Sequence, residues 1–269
     1  MEKIDIYKLF SESKNYSRKH KKYFNVYDNI FSHYKNKKIT FVEVGLLDGG
    51  SLLIWRKYFG PNARIIGIDI NKDCKKFEED GFEIFIGSQS DPLFWESFFK
   101  EVGNVDIILD DGGHTNEQQI ITTLKCIPYI KDDGIHVVED THTSYQKNFG
   151  NPSKYSFINF TKKTIDDLNF TFPNLNRFKY SLNKFIYSIQ YYESFVIFKV
   201  NRSLCVTNEI IENSGKKMGH LDLRDGKNWN NFRKKFSFLL KQPILKKFER
   251  ILVRLRNLII NKRLAKYFK

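Results

Sequence analysis

The chain has 269 residues, enough for one full α/β core with room for an insertion or a tail, and it carries a formal net charge of +14. Its three cysteines, Cys74, Cys126 and Cys205, are too few and too scattered for a disulfide framework or a zinc site, which fits a reducing, cytoplasmic setting. The opening residues lack the apolar core of a signal peptide and no apolar run approaches a membrane span, so a soluble protein, peripheral at most, is expected.

In chain order, residues 1–38 read as an N-terminal helical cap, 39–200 as the core and 201–269 as a basic helical appendage. The apolar run Ile39, Phe41, Val42, Val44 predicts a buried strand, followed by a turn containing Gly45, Gly49 and Gly50 and a helix with Leu52, Leu53, Trp55 and Tyr58 on one face. Glycine suits such a turn because a side chain would block a ligand or forbid the backbone angles. The spacing E-x-G-x-x-x-G-G departs from the G-x-G-x-x-G dinucleotide fingerprint and argues against a nicotinamide or flavin cofactor. A second strand, Ile65 to Ile68, ends at Asp69, 19 residues beyond the turn; an acid there suits the hydroxyls of a ribose, the alternative being a helix cap or a loop acid.

The alternation continues with a strand at Glu83 to Ile86, a helix at Pro92 to Val102 and a strand at Val105 to Leu109. A helix is then predicted over Asn116 to Ile130 with Ile120, Ile121, Leu124 and Ile127 on its buried face, and Asp133-Gly134 turns the chain into a strand at Ile135 to Val138. Such alternation means a parallel sheet with helices on both faces. Ile186 to Tyr191 and Ser194 to Val200 are spaced to pair as an antiparallel hairpin, and Gly150 to Lys184, rich in Asn, Phe and Lys, reads as an insertion able to cover a substrate.

Residues 233–269 hold 13 Lys and Arg against one acid, Glu249, a local charge of +12 that leaves the rest near neutral at +2. Phe248, Ile251, Leu252, Leu255, Leu258 and Ile259 recur there at helical spacing among Lys247, Arg250, Arg254, Arg256 and Arg263. Three readings stay open for this amphipathic basic helix: packing on its own core, docking on an anionic membrane surface, or binding nucleic acid or an acidic partner, the last disfavoured because no nucleic-acid module accompanies it.

In parallel α/β sheets ligands bind beyond the carboxyl ends of the strands. Two of those ends are acidic, Asp110-Asp111-Gly112-Gly113-His114 and Glu139-Asp140-Thr141-His142. If the strands are neighbours, Asp111, Glu139 and Asp140 converge, and three carboxylates at one point repel unless a cation sits among them. All-oxygen ligation selects a hard cation such as magnesium, with positions left for substrate hydroxyls, and His114 is placed to take a proton near pH 7. Turn and cap roles are the structural alternative for each pair of acids. His20, His136, His142 and His220 have no comparable sequence setting.

The segments EVGLLDGGS, GIDI, FIGSQSD, ILDDGGHT and VVEDTHTSY, in this order and spacing, resemble the metal-dependent S-adenosylmethionine O-methyltransferases that act on sugars of macrolides and other glycosides, over roughly Tyr23 to Val200. The resemblance implies a Rossmann-like class I methyltransferase, an α/β fold with a doubly wound, mostly parallel seven-stranded sheet ending in an antiparallel hairpin. It implies that Glu43, Gly45, Gly49 and Ser51 hold the methionine part of S-adenosylmethionine, Asp69 the ribose, and Ser88, Gln89 and Asp110 the remainder of the cofactor. It further implies magnesium on Asp111, Glu139 and Asp140, and His114 as base with Asp111 beside it in the catalytic group; separately, assembly into a homo-oligomer is expected. The insertion after Gly150 and the basic tail depart from the family pattern.

The expected function is transfer of a methyl group to a sugar hydroxyl of a glycan or sugar nucleotide, in surface (capsular) polysaccharide or glycoside biosynthesis, with the tail holding a cytoplasmic enzyme near the inner face of the membrane. The rivals are an RNA methyltransferase using the tail as its contact and a non-catalytic, membrane-associated binding protein that keeps the fold.

Overall fold

A computed structural model of the chain describes residues 5–169, 179–206, 209–216, 231, 234–235 and 243–268. The chain divides into two compact units, Met1–Glu209 and Ile210–Lys269.

The first unit is built on seven strands: β1 (Thr40–Val44), β2 (Arg64–Asp69), β3 (Glu83–Ile86), β4 (Val105–Asp110), β5 (Ile130–Val138), β6 (Ile186–Tyr192) and β7 (Phe195–Val200). They form one sheet in the order β3-β2-β1-β4-β5-β7-β6. The first five run parallel, and β7 joins β5 antiparallel to close the sheet with its hairpin partner β6. Successive side chains of a strand point to opposite faces, so Phe41, Ile65, Ile107, Leu109, Ile135, Val137 and Ile197 enter one core, and Val42, Val44, Ile66, Ile68, Ile108, Val138 and Val196 the other.

Helices α1 (Ile6–Ser11), α2 (Tyr23–Phe31) and α3 (Gly50–Phe59) cover the first face with an aromatic cluster in which Phe31, Phe41, Trp55 and Phe59 meet at ring-centroid distances of 5.0 to 6.0 Å. On the other face lie α4 (Pro92–Val102), opened by Asp91 capping Leu93 N–H with Pro92 at its first position, α5 (Asn116–Cys126) and α6 (Phe157–Leu168). The strand order reverses between β1 and β4, so the crevice beyond their carboxyl ends is where a ligand is expected.

Two boundaries differ from the sequence reading. The helix expected over 116–130 stops at Cys126, where Pro128 removes a donor from the ladder, and a 3₁₀ turn at Ile127–Tyr129 leads straight into β5. Asp133 and Gly134 therefore lie inside β5, as a register shift against β4 between Val105 and Ile107. The buried face of α5 is also the less apolar one, Gln119, Thr122, Thr123 and Cys126, while Ile120, Ile121 and Leu124 are half-buried. The cause is the polar strand ends it packs on: Gln119 Nε2 donates to the Glu139 carbonyl at 2.9 Å, and Thr122 Oγ1 accepts from Gln89 Nε2 at 3.2 Å.

Of the insertion, α6 is described, and the carboxylate of Asp167 near its end accepts the N–H groups of Leu182 and Asn183 and the Ser181 hydroxyl; residues 170–178 lie outside the described residues. In the second unit the expected basic helix is α7 (Pro243–Leu264), with Ile251, Leu255, Leu258 and Ile259 exposed. The side chains of Phe248 and Leu252 lie outside the described residues, as does His220. Among the described residues no helix is long and apolar enough to cross a membrane.

Candidate active site

The turn after β1 is fixed by its backbone. Gly45 N–H donates to the Ile68 carbonyl at 2.8 Å, Gly49 N–H to the Leu46 carbonyl at 2.8 Å, and Gly45, Leu47 and Gly49 all have positive φ. Asp69 braces the same turn: its Oδ2 accepts Leu46 N–H and its Oδ1 accepts Asn71 N–H, each at 2.8 Å. Each oxygen has a lone pair left, and Gly45 and Asp69 line both of two adjoining cavities. The larger, about 940 Å³, is lined further by Leu47, Asp48, Asn71, Asp111, His114 and Asp140. The smaller, about 220 Å³, is walled by Gly87, Ser88, Gln89, Gly112 and Gly113, a narrow slot of the kind a flat base fills.

Of the residues assigned to the cofactor, Gly45, Asp69, Ser88 and Gln89 thus line these cavities, and Glu43, Gly49, Ser51 and Asp110 lie behind them. Glu43 is fully buried and accepts from Ser51 Oγ at 2.8 Å and Trp55 Nε1 at 3.0 Å, so it ties β1 to α3. Asp110 is buried and accepts from Gln89 Nε2 at 2.8 Å and Gly112 N–H at 3.3 Å, while Gln89 Oε1 accepts Gly113 N–H at 2.9 Å. This network shapes the Asp110–Gly113 turn.

Burial pushes the Glu43 carboxyl up to about 7, against the opposing pull of Lys19 and the Trp55 and Ser51 hydrogen bonds. A carboxyl raised on folding contributes stability that is fully present below its unfolded value and is lost as pH rises through about 7. Glu43→Gln, which keeps the shape without the charge, is therefore expected to melt progressively higher relative to the parent between pH 5 and pH 8. Parallel melting curves across that range would show that Glu43 ionises as freely as a surface acid.

Beyond β4 and β5 the acids converge as their neighbouring strands require. Asp111, His114 and Asp140 each offer a ligand atom within 4.8 Å of the others. His114 (φ +57°) and Asp140 (φ +53°) both hold left-handed backbone, a conformation that costs non-glycine residues free energy and gathers at functional sites. His114 Nε2 lies 3.4 Å from Asp140 Oδ2.

Three contributors come from the N-terminal 38 residues, which sequence reasoning treated only as a cap. Lys19 reaches across the glycine turn and places its ammonium between Asp111 Oδ2 and Glu139 Oε2, the latter at 3.1 Å. Tyr27 donates its hydroxyl to Glu139 Oε1, and Tyr23 donates to Asp140 Oδ1. Burial alone would lower the Lys19 pKa, but Asp111 and Glu139 outweigh it and hold the ammonium charged, well above its ordinary value. Burial and repulsion from Asp111 likewise raise Glu139, well above the usual carboxylate range and against the pull of Lys19. The segment that carries Lys19 lies on the turn itself: Tyr16 carbonyl accepts Gly50 N–H at 3.3 Å, and a Cβ at Gly50 would stand 2.5 Å from that carbonyl oxygen.

His20 and His142, without a setting in the sequence, also belong here: with Asp140 they form a second group whose ligand atoms lie within 4.8 Å. His136 is a core residue, its ring Nε2 3.2 Å from Thr123 Oγ1 and its pKa pushed down to about 3 by burial.

The residues present fit a hard divalent cation. Asp111 and Glu139 flank a single buried ammonium, and Asp111 and Asp140 offer ligand oxygens within 4.8 Å of each other, an oxygen donor set that suits one divalent ion. Glu139, expected as a third ligand, is not in that group, and the Lys19 ammonium lies between it and Asp111.

A mostly parallel seven-stranded sheet of this order, closed by an antiparallel hairpin, with a glycine turn after its first strand and an acid ending its second, defines the Rossmann-like class I methyltransferase fold. No protein-family model matches the chain. Demethylmacrocin O-methyltransferase of Streptomyces fradiae is 32% identical over 154 residues, covering 53% of this chain and 38% of that protein. Mycinamicin VI 2''-O-methyltransferase of Micromonospora griseorubida is 31% identical over 131 residues, 46% of this chain and 32% of that protein. Among solved structures the mycinamycin-pathway methyltransferase MycE, in complex with magnesium and SAH, superposes with a TM-score of 0.65 at 25% identity, over 74% of this chain and 54% of that one. The curated relatives are sugar O-methyltransferases of antibiotic pathways, and the chain spans less than half of their length.

Proposed function

We propose that the chain is an S-adenosylmethionine- and magnesium-dependent O-methyltransferase acting on a sugar hydroxyl. The observation that carries the reading is the meeting of Asp111, His114 and Asp140 at adjacent strand ends, on the wall of the same cavity that Gly45 and Asp69 line. Bound S-adenosylmethionine would supply an electrophilic methyl group, and a magnesium ion, which Asp111, Asp140 and Glu139 would hold, would supply positive charge that makes the acceptor hydroxyl more acidic.

The chain's own residues do the rest. Asp69 takes the ribose hydroxyls on its free lone pairs, and the slot beside Ser88 and Gln89 takes the base. His114 accepts the proton of the acceptor hydroxyl and holds it at Nε2, where Asp140 Oδ2 balances the imidazolium charge. Tyr23 and Tyr27 fix the orientation of Asp140 and Glu139. The tyrosine and lysine segment over the turn excludes water, so that aligned groups rather than further activation carry the rate.

The basic helix α7 suits an anionic membrane surface, which would hold a cytoplasmic enzyme where surface polysaccharide precursors are assembled. The test is methyl transfer from labelled S-adenosylmethionine to a panel of glycosides and sugar nucleotides, with magnesium and with EDTA. Product is expected with magnesium alone, and Asp111→Asn should lose it by at least about a hundredfold while binding S-adenosylhomocysteine within a few fold of the parent. Undiminished transfer in EDTA would remove the metal from the reading.

A further inference from the structure

A second large cavity, about 900 Å³, lies against the first and shares His20, Tyr23 and His142 with it as a common wall. A molecule filling it therefore presents its inner end to that wall, behind which Tyr23 donates to Asp140 Oδ1. Its sides are α6, through Ile158, Thr161, Lys162 and Ile165, and the β6–β7 hairpin, through Tyr191, Tyr192 and Phe195. Tyr145, Tyr191 and Tyr192 leave ring surface exposed around it, which suits the apolar faces of a sugar ring.

The charge of this cavity is unlike that of the acidic site next door. Lys21, Lys22 and Lys162 line it with the imidazoles of His20 and His142, and Glu193 is the single acid among the described lining residues. Glu193 is already paired with Lys22 at 2.5 Å. Lys162 donates to the neutral Asn159 Oδ1 at 3.1 Å, and Lys21 forms no ion pair among the described residues. Two ammonium groups without carboxylates, one from the segment before α2 and one from α6, line an aromatic cavity and match an anion with several acceptor oxygens.

Resting on the methyltransferase reading, we propose that the acceptor is a glycosyl phosphate: a sugar seated among Tyr145, Tyr191 and Tyr192, its reacting hydroxyl at the His142–Asp140 wall, and the phosphate or diphosphate on its anomeric oxygen held by Lys21 and Lys162. A nucleotide-linked and a lipid-linked sugar share this chemistry, and the experiment separates them.

Binding is measured by calorimetry on the full chain saturated with S-adenosylhomocysteine. One arm uses UDP-glucose, UDP-galactose, dTDP-rhamnose and GDP-mannose, another undecaprenyl-diphosphoryl galactose in detergent, and the control arm the free sugars. At least one phosphorylated probe is expected to bind at least tenfold more tightly than its free sugar, and the arm that does so identifies the carrier. The double variant Lys21→Ala, Lys162→Ala should weaken that probe about tenfold to a hundredfold while leaving S-adenosylhomocysteine affinity unchanged. Equal affinity for free and phosphorylated sugars, an unaffected double variant, or no phosphorylated probe bound below about 10 mM overturns the proposal. Methyl transfer to uncharged glycosides alongside such a result would leave the methyltransferase reading standing, whereas failure of the parent chain to bind S-adenosylhomocysteine would remove both.

Discussion

Lys19→Met is expected to lower the melting temperature in EDTA by roughly 10 °C, the consequence of about 3 to 5 kcal/mol lost when one partner of a buried ion pair is removed. The Lys19 side chain is 5% exposed and Glu139 is fully buried, so solvent screens neither charge. Without the ammonium, Glu139 keeps only the Tyr27 hydroxyl and faces Asp111 across an unneutralised gap. The variant also vacates the position a divalent ion needs between those carboxylates. Millimolar magnesium should therefore raise the melting temperature of Lys19→Met several degrees more than that of the parent, where the ammonium competes for the same oxygens. A variant that melts within about 2 °C of the parent in EDTA would mean that Lys19 does not sit between the two acids. A deficit that magnesium leaves untouched would mean that the site holds a monovalent side chain and nothing else.

This lysine also shows where sequence reasoning reaches its limit. The strands and the acids after them were legible because both are local: short apolar runs, with acids at or just beyond the ends of β2, β4 and β5, and parallel pairing then bringing Asp111, His114 and Asp140 together. Lys19 sits in a polar stretch without periodicity, 92 residues from Asp111 and 120 from Glu139, and nothing in its neighbourhood separates a buried cation from a solvated one. A weak signal existed in Gly50, where the passing backbone of Asn15 and Tyr16 forbids a side chain. The polar face of α5 went unread for a related reason: amphipathic patterning assumes an apolar core, and this helix packs on the hydrogen-bonded underside of a site. Glu43 is similar, since its partners Ser51 and Trp55 stand 8 and 12 residues on and its carboxylate braces the turn from behind.

The turn itself sets the second large expectation, because the end of β1 and the end of β4 are joined there by Asp111 N–H donating to the Val44 carbonyl at 3.0 Å. A Cβ at Gly45 would press into the Asp111 carbonyl, standing 2.8 Å from Gly112 Cα and 2.9 Å from the Asp111 carbonyl carbon, so the backbone carrying the acid must move. Gly45 also has φ +87°, which costs an alanine about 1 to 2 kcal/mol before any crowding is counted. With overpacking of about 1 to 3 kcal/mol added, Gly45→Ala should lose roughly 2 to 5 kcal/mol. It should also weaken S-adenosylhomocysteine by about a hundredfold or more, since the displaced segment walls both cavities. Gly81→Ala separates the two causes: Gly81 has φ +83° with nothing within 4 Å of its would-be Cβ, so it carries the backbone cost alone and lies on neither cavity. Its loss should stay near 1 to 2 kcal/mol with ligand affinity intact. Were the two variants to fall by equal amounts and bind alike, the close approach of Gly45 to Asp111 would have no part in holding the site, and the coupling between cofactor turn and acidic cluster would have to be sought elsewhere.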